Sequence, residues 1–402
     1  MYVGIALGNP TLSQLMKSPG VILIGAGSTG SALAHDLALR GLGVTVIERA
    51  GVASGTTGHN QAQLHSGARY AVVDPESARE CIAENRILRQ IMPAALELNE
   101  GLFVAVSAAG LDYAPRFIEA CQESGIPVQE VPVEQALRRE PLLNPQILAA
   151  VQVPDGVFEP YRFCLSFLAT AQSNGAEVHT FSEVVGVDAQ RCQVNVYNRQ
   201  TGKTQAFAAD AIINAAGPWA GKIARLAGVK VEVEPSAGVM VTVGKRVCNH
   251  VLNLLAPPDN GDIIVPQRNS SILGTTSWSV ADPDDIPIPP GHVEEIFSVA
   301  EQMVPGIRNY AVRGVIAAAR PLLVVEGAGG RATSRGFACY QHSAEGAPGF
   351  FSVVGGKTTT ARLMAEKIGD QVAAYLHWDQ SSTTRTTPLL SYRKWSAQPI
   401  SQ

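Results

Sequence analysis

The chain contains 402 residues, carries a formal net charge of −4 and is 46% hydrophobic. This composition supports a large core and roughly two or three domains, and it excludes a disordered chain. The small net charge argues against a general nucleic-acid-binding surface, so no nucleic-acid partner is expected. The sequence contains no run of about 20 apolar residues, so no membrane span is predicted.

Cysteines and the N-terminal residues bear on the cellular compartment. The six cysteines have no close pair, so a C-x-x-C metal or redox motif is absent from the sequence and no metal site is predicted. We interpret them as buried thiols of a reducing compartment. Residues 1–20 lack the charged start and long apolar centre of a signal peptide. We therefore expect a cytoplasmic location, and peripheral contact with the inner membrane stays open.

The first predicted elements form a strand–turn–helix–strand unit. The apolar run 21–24 ends in glycine and predicts a buried parallel strand. Residues 28–40 have helical apolar spacing with Gly41 as the expected C-cap, and residues 44–47 predict a second strand. Helical periodicity is predicted again at residues 76–100, 116–124 and 162–173.

Strand patterns dominate the middle of the chain. They are predicted at residues 177–180, 184–187, 194–197, 204–207, 211–214, 239–243, 262–265 and 271–274. A proline-rich loop at 281–290 and a helix at 293–303 follow. Strands at 337–340 and 350–354 then precede a helix over 357–376. This order predicts an α/β protein, in which a dinucleotide-binding domain is built from separated segments and holds an inserted α+β domain.

A G-x-G-x-x-G pattern joins the first predicted strand to the first helix, at Gly25, Gly27 and Gly30. The first glycine allows a tight turn, the second lets the backbone approach a pyrophosphate, and the third lets helix and strand pack closely. The N–H groups at the helix start, including those of Ser28 and Thr29, would face the pyrophosphate. The alternative is a glycine-rich turn without a ligand.

An acidic residue completes the dinucleotide pattern. Glu48 ends the second predicted strand, where its carboxylate can accept hydrogen bonds from the hydroxyls of an adenosine ribose. A negative charge there disfavours NADP, which carries a phosphate at that position. The unit therefore predicts a dinucleotide with a free adenosine ribose.

Six further motifs follow this unit along the chain. They are residues 54–60 (SGTTGHN), 65–70 (HSGARY), 215–219 (AAGPW), 274–276 (GTT), 319–322 (ARPL) and 355–358 (GGKT). In this order they resemble the FAD-dependent glycerol-3-phosphate dehydrogenases of the D-amino-acid oxidase and glycine oxidase superfamily. The resemblance is greatest to the large catalytic subunit of the bacterial anaerobic enzyme. It covers about residues 20–375 and implies FAD as the cofactor.

The resemblance also implies a domain division and a set of cofactor contacts. A Rossmann-like FAD-binding domain would comprise residues 20–90, 155–228 and 332–380, a substrate-binding domain residues 91–154 and 229–331, and terminal extensions residues 1–19 and 381–402. Besides the glycine turn and Glu48, the implied FAD contacts are Arg49, Thr56, Thr57, His65, Ser66, Val185, Ala215, Ala216, Gly217, Trp219, Gly355, Gly356, Lys357 and Thr358.

Three features depart from the family pattern. Residues 358–361 lack the tyrosine that the family usually has shortly after the position of Lys357. Residues 317–321, interpreted as an arginine-bearing loop, lack a serine-glycine pair before the arginine. The cysteine-bearing C-terminal region of the anaerobic enzyme's large subunit is expected to be absent.

Arginines are the residues that suit a phosphate-bearing substrate, because a planar guanidinium binds two oxygens at once. Arg69, Arg320 and Arg335 match substrate-binding arginines of the family by position. From sequence alone, each could equally be an ion-paired surface side chain. Tyr70 follows Arg69 and is expected beside the flavin or the substrate, with core packing as the alternative.

Oxidation of an alcohol also needs a base for the hydroxyl proton. His65 is near the flavin by family placement, and His342 follows the strand at 337–340. Either could instead be a structural histidine. Lys357 is a third candidate, since it opens a helix after two glycines, where N–H groups and the helix dipole would favour reduced flavin. That glycine pair could also be an ordinary turn.

Three hypotheses follow for the activity. The first is oxidation of sn-glycerol 3-phosphate, a small phosphorylated alcohol, to dihydroxyacetone phosphate, with electrons passing to a quinone or a partner subunit. The second is a related flavin oxidase acting on an amine, an amino acid or a 2-hydroxy acid. The third is a flavin-binding subunit whose own substrate site has decayed. A homo-oligomer and a hetero-oligomer both stay open.

Overall fold

The computed structural model describes residues 18–323 and 336–396. In these ranges 21 strands form four sheets, and most of the strands are short. They are β1 Gly20–Ile24, β2 Gly43–Ile47, β3 Gln63–Leu64, β4 Leu96–Glu97, β5 Gly101–Ala105, β6 Gln129–Glu130, β7 Ala149–Val153, β8 Gly156–Phe158, β9 Glu177–His179, β10 Ser182–Asp188, β11 Gln193–Asn198, β12 Thr204–Ala208, β13 Ala211–Asn214, β14 Val233–Val243, β15 Val251–Leu254, β16 Ile263–Gln267, β17 Ser270–Gly274, β18 Trp278–Ser279, β19 Val312–Leu323, β20 Phe337–Gln341 and β21 Phe350–Gly355.

The α-helices of the described residues lie between these strands. They are α1 Ser28–Leu39, α2 Pro75–Ile91, α3 Ala108–Glu123, α4 Val133–Arg139, α5 Pro160–Ser173, α6 Ala220–Leu226, α7 His292–Met303 and α8 Ala361–Tyr375. Of these, none combines the length and the apolar character that crossing a bilayer requires.

A six-stranded sheet carries the glycine-rich unit. Its order is β20-β21-β13-β1-β2-β9, and β1 lies between β13 and β2, parallel to both. Val21 and Leu23 pack into the core formed with α1, α5 and α8. Ile22 and Ile24 face the other way, into a core shared with the sheet β10-β11-β12. Burial on both faces explains why β1 is apolar throughout.

A nine-stranded sheet forms the second large body of structure. Its order is β18-β14-β17-β16-β15-β5-β7-β6, with β19 paired to β14. Helix α7 covers one face, where Ile296 and Phe297 pack with Val239 and Val241. Side chains of β15 and β16 join the helix core of the six-stranded sheet instead. The two sheets therefore share a core, and the mixed α/β architecture confirms the predicted fold class.

The strands of the two large sheets come from different parts of the chain. The six-stranded sheet uses residues 20–47, 177–214 and 337–355, whereas the nine-stranded sheet uses residues 101–153 and 233–323. The two sets alternate along the chain in the manner of the predicted discontinuous domain. The residue boundaries of the two domains stay a prediction.

The predicted loop at 317–321 is wrong. These residues belong to β19, which pairs with β14 from Val243↔Val312 to Val233↔Leu323. Pro321 lies opposite Pro235, and proline cannot donate a ladder hydrogen bond. The small residues before Arg320 have no strong preference for strands, so the sequence does not predict β19.

Two predicted helices have different bounds in the structure. Helix α2 ends at Ile91 and does not reach residue 100, because Pro93 follows and starts a separate turn. Helix α3 begins at Ala108, well before residue 116. The Ser107 hydroxyl caps it by accepting the Gly110 N–H at 3.3 Å.

The segment after α8 packs back over the first helix. The Trp378 indole N–H donates to the Arg40 carbonyl at 2.7 Å, and Arg40 Nη1 donates to the Gln380 carbonyl at 2.8 Å. Further along, the Thr384 hydroxyl accepts from Arg362 Nη1 at 3.0 Å. Residues 377–396 thus form part of the packed structure, although they lie mostly in the predicted terminal extension.

Candidate active site

A large cavity of about 1480 Å³ lies where the two bodies of structure meet. Its lining includes most of the predicted site residues. At one end are Gly25, Gly27, Ser28, Thr29, Glu48, Arg49, Thr56, Thr57, Val185, Ala215, Ala216, Gly217 and Trp219, and at the other His65, Arg69, Tyr70, Arg320, Gly355, Gly356, Lys357 and Thr358.

The glycine turn between β1 and α1 has the shape that its sequence predicts. Gly25 has a φ of +109°, and a Cβ there would approach the Ala215 carbonyl oxygen to 2.7 Å. Gly30 does not line the cavity; it packs behind the turn, where a Cβ would lie 1.9 Å from the Gly25 oxygen. At Gly27 the backbone faces the cavity, and α1 begins at the next residue. A pyrophosphate can therefore reach the helix N-terminus closely.

Glu48 is held at the mouth of this turn. Its side chain is buried, with Oε2 accepting the Ala26 N–H at 2.8 Å and Oε1 accepting the Ala50 N–H at 2.9 Å. The carboxylate keeps lone pairs for ribose hydroxyls. Val185 is half-exposed beside it and offers an apolar surface to a flat base. The residues present at this end fit a dinucleotide.

A second glycine pair lies at the far end of the cavity. Gly355 and Gly356 both have positive φ, and side chains there would collide with the Gly336 oxygen and the Met364 sulfur. Lys357 follows and begins the turn that leads into α8. Its Nζ donates to the Ser77 hydroxyl at 3.0 Å and lies 5.4 Å from the centre of the Tyr70 ring.

Arg69 is held on the cavity wall by an acidic partner that directly precedes β16. Its Nη1 donates to Asp262 Oδ2 at 2.5 Å, and its Nη2 donates to the Asp259 carbonyl at 3.1 Å. Burial acts to lower the pKa of Arg69, but the Asp262 carboxylate outweighs it and the pKa is raised overall. The guanidinium is thus charged and held in one orientation.

Arg320 reaches the cavity from β19. Its Nη2 donates to the Thr276 carbonyl at 2.7 Å, and its Nη1 donates to the hydroxyls of Ser236 and Ser277 at 3.3 and 3.2 Å. The guanidinium lies flat over Gly238, where a Cβ would approach Nη2 to 2.2 Å. Only glycine at 238 leaves this space.

His65 and Tyr70 lie side by side on the cavity wall. Their ring centres are 5.3 Å apart. The backbone N–H of His65 donates to the Thr359 hydroxyl at 3.2 Å, which ties it to the turn after Lys357. The structure therefore brings His65, Tyr70 and Lys357 together.

Three other predicted residues do not join this cluster. Ser66 is buried behind the cavity, where its N–H donates to Asp155 Oδ1 at 2.6 Å. His342 does not line the cavity either: its Nδ1 pairs with Glu345 Oε1 at 2.7 Å, and its ring packs on Phe350. Arg335 lies outside the described residues.

Residues that no sequence motif indicates also shape the cavity. Asp262 orients Arg69, and Asp284 and Lys222 border the dinucleotide end. Asp155 accepts hydrogen bonds from Ser66 and Gln63 beneath the site. Each acts through a partner distant in sequence, so no local pattern indicates them.

Known proteins resemble this chain over most of its length. The model of the family described as FAD dependent oxidoreductase matches residues 20–366. The A1 subunit of the anaerobic glycerol-3-phosphate dehydrogenase of Haloferax volcanii is 39% identical over 93% of this chain and 67% of its own length. The equivalent subunit of the anaerobic glycerol-3-phosphate dehydrogenase of Escherichia coli K12 is 38% identical over 92% of this chain and 69% of its own length.

Solved structures support the same fold. The glycerol-3-phosphate dehydrogenase of Bacillus halodurans, complexed with FAD, superposes with a TM-score of 0.72 at 21% identity, over 93% of this chain and 68% of that one. Glycine oxidase of Geobacillus kaustophilus gives 0.70 at 20% identity, over 89% and 95%. The glycine turn, Glu48 and these matches confirm the predicted family and cofactor: the chain belongs to the FAD-dependent oxidoreductases and uses FAD.

Proposed function

We propose that this chain oxidises sn-glycerol 3-phosphate to dihydroxyacetone phosphate. The observation that carries the proposal is the cavity itself, which joins a dinucleotide cradle to a wall bearing two arginines, a histidine and a lysine. The relatives named anaerobic glycerol-3-phosphate dehydrogenase support the same substrate, because they are 38–39% identical over more than nine-tenths of this chain.

The chain's own residues have to bind the alcohol, orient its C–H bond and take its hydroxyl proton. When bound, FAD supplies the hydride acceptor at N5 of its flavin ring. Arg69, Arg320, His65 and Lys357 all line the end of the cavity opposite the dinucleotide cradle. The proposed roles therefore fall on the side chains at this end of the cavity.

Arg69 and Arg320 are the proposed phosphate ligands. Asp262 and the Thr276 carbonyl already hold the two guanidinium groups in place, so little side-chain freedom is lost when substrate binds. A guanidinium can offer two parallel N–H groups to a phosphate, which fixes the orientation of the substrate as well as its position.

His65 is the proposed base for the hydroxyl proton. Imidazole in general titrates near neutral pH, which suits proton transfer from an alcohol. Its backbone is anchored to Thr359, and its ring lies beside Tyr70. Lys357 is the proposed source of positive charge near the reduced flavin, with its ammonium held by the Ser77 hydroxyl.

Electrons must then leave the flavin for an acceptor. The similar proteins of Haloferax volcanii and Escherichia coli are each named as one subunit of a dehydrogenase, which supports assembly with at least one other protein. We therefore propose transfer to a partner subunit or to a quinone, with peripheral contact to a membrane as the corresponding location.

Anaerobic reduction tests the substrate. Purified holoenzyme mixed with sn-glycerol 3-phosphate should lose its oxidised flavin absorbance, and unphosphorylated glycerol should leave it unchanged. The Arg320→Gln variant should bind FAD but need at least about ten-fold more substrate for the same reduction rate, since a charged hydrogen bond to phosphate is lost. Arg313→Gln is the matched control, because Arg313 lies on the same strand and does not line the cavity.

Other outcomes would contradict the proposal in distinct ways. Reduction by glycine, sarcosine or 2-hydroxyglutarate, with none by sn-glycerol 3-phosphate, would identify a related oxidase instead. Flavin that dithionite reduces, but that none of these substrates reduces, would indicate a flavin-binding protein without its own oxidation site.

A further inference from the structure

Five side chains at the dinucleotide end of the cavity form a cluster separate from the glycine turn and Glu48. They are Arg49, Trp219, Lys222, Asp282 and Asp284, and we call them the clasp. Arg49 follows β2, Trp219 and Lys222 lie at the start of α6, and the two aspartates lie on the loop between β18 and α7. The clasp therefore connects the dinucleotide-binding sheet to a loop of the nine-stranded sheet.

Asp284 is the centre of the clasp, because three donors converge on its carboxylate. Arg49 Nη2 and Trp219 Nε1 donate to Oδ1 at 3.0 and 2.8 Å, and Lys222 Nζ donates to Oδ2 at 2.7 Å. Lys222 also donates to Asp282 Oδ1 at 2.7 Å, and the same oxygen accepts the Asp284 N–H at 2.8 Å. Asp282 thus fixes the loop that presents Asp284.

The clasp residues form part of the cavity wall. Arg49, Trp219, Lys222 and Asp284 all line the cavity. The Arg49 guanidinium lies 4.1 Å above the centre of the Trp219 ring, so the two donors to Asp284 also contact each other. A loop displacement that breaks the three bonds to Asp284 would widen the cavity beside the dinucleotide.

The clasp is suited to opening and closing. Its two cations and two carboxylates sum to no net charge, and the side chains of Lys222 and Asp284 are 38% and 45% exposed. Burial acts to raise the pKa of Asp284, but hydrogen bonds from Lys222, Trp219 and Arg49 lower it overall. Asp284 is therefore ionised at neutral pH. Ion pairs this exposed add little to folding stability, and salt screens them.

We propose that Asp284 and its partners close the cavity after FAD has entered, and that breaking the clasp is the step that limits FAD release. The clasp thus sets how long the cofactor stays bound, whichever substrate the enzyme oxidises. The competing arrangement is that Arg49 and Lys222 bind the FAD pyrophosphate directly. The two arrangements predict opposite effects on the rate of FAD release when Asp284 loses its charge.

The test measures FAD release from the holoenzyme. Protein-bound flavin absorbance is followed at successive times after dilution and rapid gel filtration, for wild type and Asp284→Asn. The clasp predicts release about ten-fold faster in the variant, because charge-assisted hydrogen bonds are lost. Salt should accelerate release from wild type and have a smaller effect on the variant. Release that is unchanged or slower in Asp284→Asn would overturn the proposal.

Two further variants distinguish the clasp from a general loss of stability. Glu294 lies on the neighbouring helix α7, outside the cavity, and forms an exposed pair with Arg308. The Glu294→Gln variant loses this ion pair and should release FAD at the wild-type rate. Lys222→Met should accelerate release, and the double variant Asp284→Asn/Lys222→Met should be no faster than Asp284→Asn within about two-fold. If the effects of the two single variants on the release rate multiply in the double variant, the two residues act independently. This result would also overturn the proposal.

Discussion

At the scale of single residues, the pair between Arg69 and Asp262 decides how the proposed substrate site is held. Both side chains are nearly buried, and Asp262 Oδ2 also accepts the Asp259 N–H at 2.9 Å. A carboxylate that is removed from a buried pair leaves the cation misplaced and poorly solvated. Asp262 is therefore a positioning residue for Arg69.

We expect Asp262→Asn to raise the KM for sn-glycerol 3-phosphate about ten-fold and to change kcat by less than about three-fold, because substrate binding loses a fixed arginine. Steady-state kinetics with an artificial electron acceptor measures both constants. Asp259→Asn is the matched control, since Asp259 contacts Arg69 through its backbone carbonyl. Equal changes in KM for the two variants, or a lower KM in Asp262→Asn, would contradict this role.

Residues whose role depends on local backbone geometry could be predicted from the sequence. Gly25, Gly30 and Glu48 are examples, because the spacing of a strand, a turn and a helix dictates them. Asp262 could not be predicted, because its partner Arg69 lies 193 residues away in the chain. His342 shows the converse: its position after a strand could not reveal that its ring nitrogen faces Glu345.

At the scale of elements, α1 contains a buried histidine on the side that faces α5. The His35 ring is fully buried 5.5 Å from the Phe167 ring, and neither ring nitrogen has a hydrogen-bond partner among the described residues. Burial, with a contribution from the Arg362 charge, lowers the pKa of His35 from 6.5 to about 3. The helix therefore packs with a neutral imidazole.

This burial predicts a pH-dependent loss of stability. Below pH 6.5 the unfolded chain binds a proton at His35 that the folded protein does not bind until about pH 3. The free energy of unfolding therefore falls as the pH drops through this window, by at most about 1.4 kcal/mol per pH unit. In His35→Leu this dependence should be absent.

Urea denaturation of both proteins between pH 7.5 and 4 measures the difference. Burial also raises the pKa of the neighbouring Asp36 to about 6, which has the opposite sign, stabilising the fold as pH falls. Asp36 is present in both proteins, so its effect cancels in the comparison. Parallel pH profiles for wild type and His35→Leu would contradict the prediction.

Element prediction is most accurate where periodicity and burial agree. The strands β1 and β13 and the helices α5 and α7 lie close to their predicted bounds. The missed strand β19 has small residues and a proline, and it is defined by pairing with β14 along its whole length. Long-range pairing of this kind leaves no local signal.

At the scale of the whole molecule, the segment after α8 ties distant elements together. Besides Trp378 and Thr384, the Leu389 N–H donates to the Ile91 carbonyl at 2.8 Å. The polar groups of Arg40 and Arg362 beneath this segment are buried. Arg40 also pairs with Asp36 and Asp370, and Arg362 with Glu84 and Glu366, so the segment supplies one further hydrogen-bond partner to each guanidinium.

Truncation after Leu376 should therefore lower the free energy of unfolding by roughly 3–5 kcal/mol, because buried charged groups lose partners. Thermal melting of the holoenzyme measures the loss. Trp378→Phe, which removes the indole N–H and retains one aromatic ring at this position, should lose less than about 2 kcal/mol. An unchanged melting temperature in the truncated protein would refute this role of the segment.

The alternation of the segments of the two large sheets along the chain is the feature that local sequence patterns predict least well. Local patterns predicted strands and helices, but only the resemblance across motifs from residue 54 to residue 358 indicated which of them share a sheet. Sheet order depends on contacts between segments hundreds of residues apart, and single-sequence patterns do not record these.

The position of β1 in the middle of its sheet has a consequence for how the chain matures on the ribosome. β1 emerges first, yet β13 and β21 complete its sheet only after residues 211–214 and 350–355 have been synthesised. Helix α8, which covers the same core, follows later still. The nascent chain therefore carries an incomplete sheet until residues 350–355 have emerged, and the complete dinucleotide-binding sheet is available to FAD only after that point.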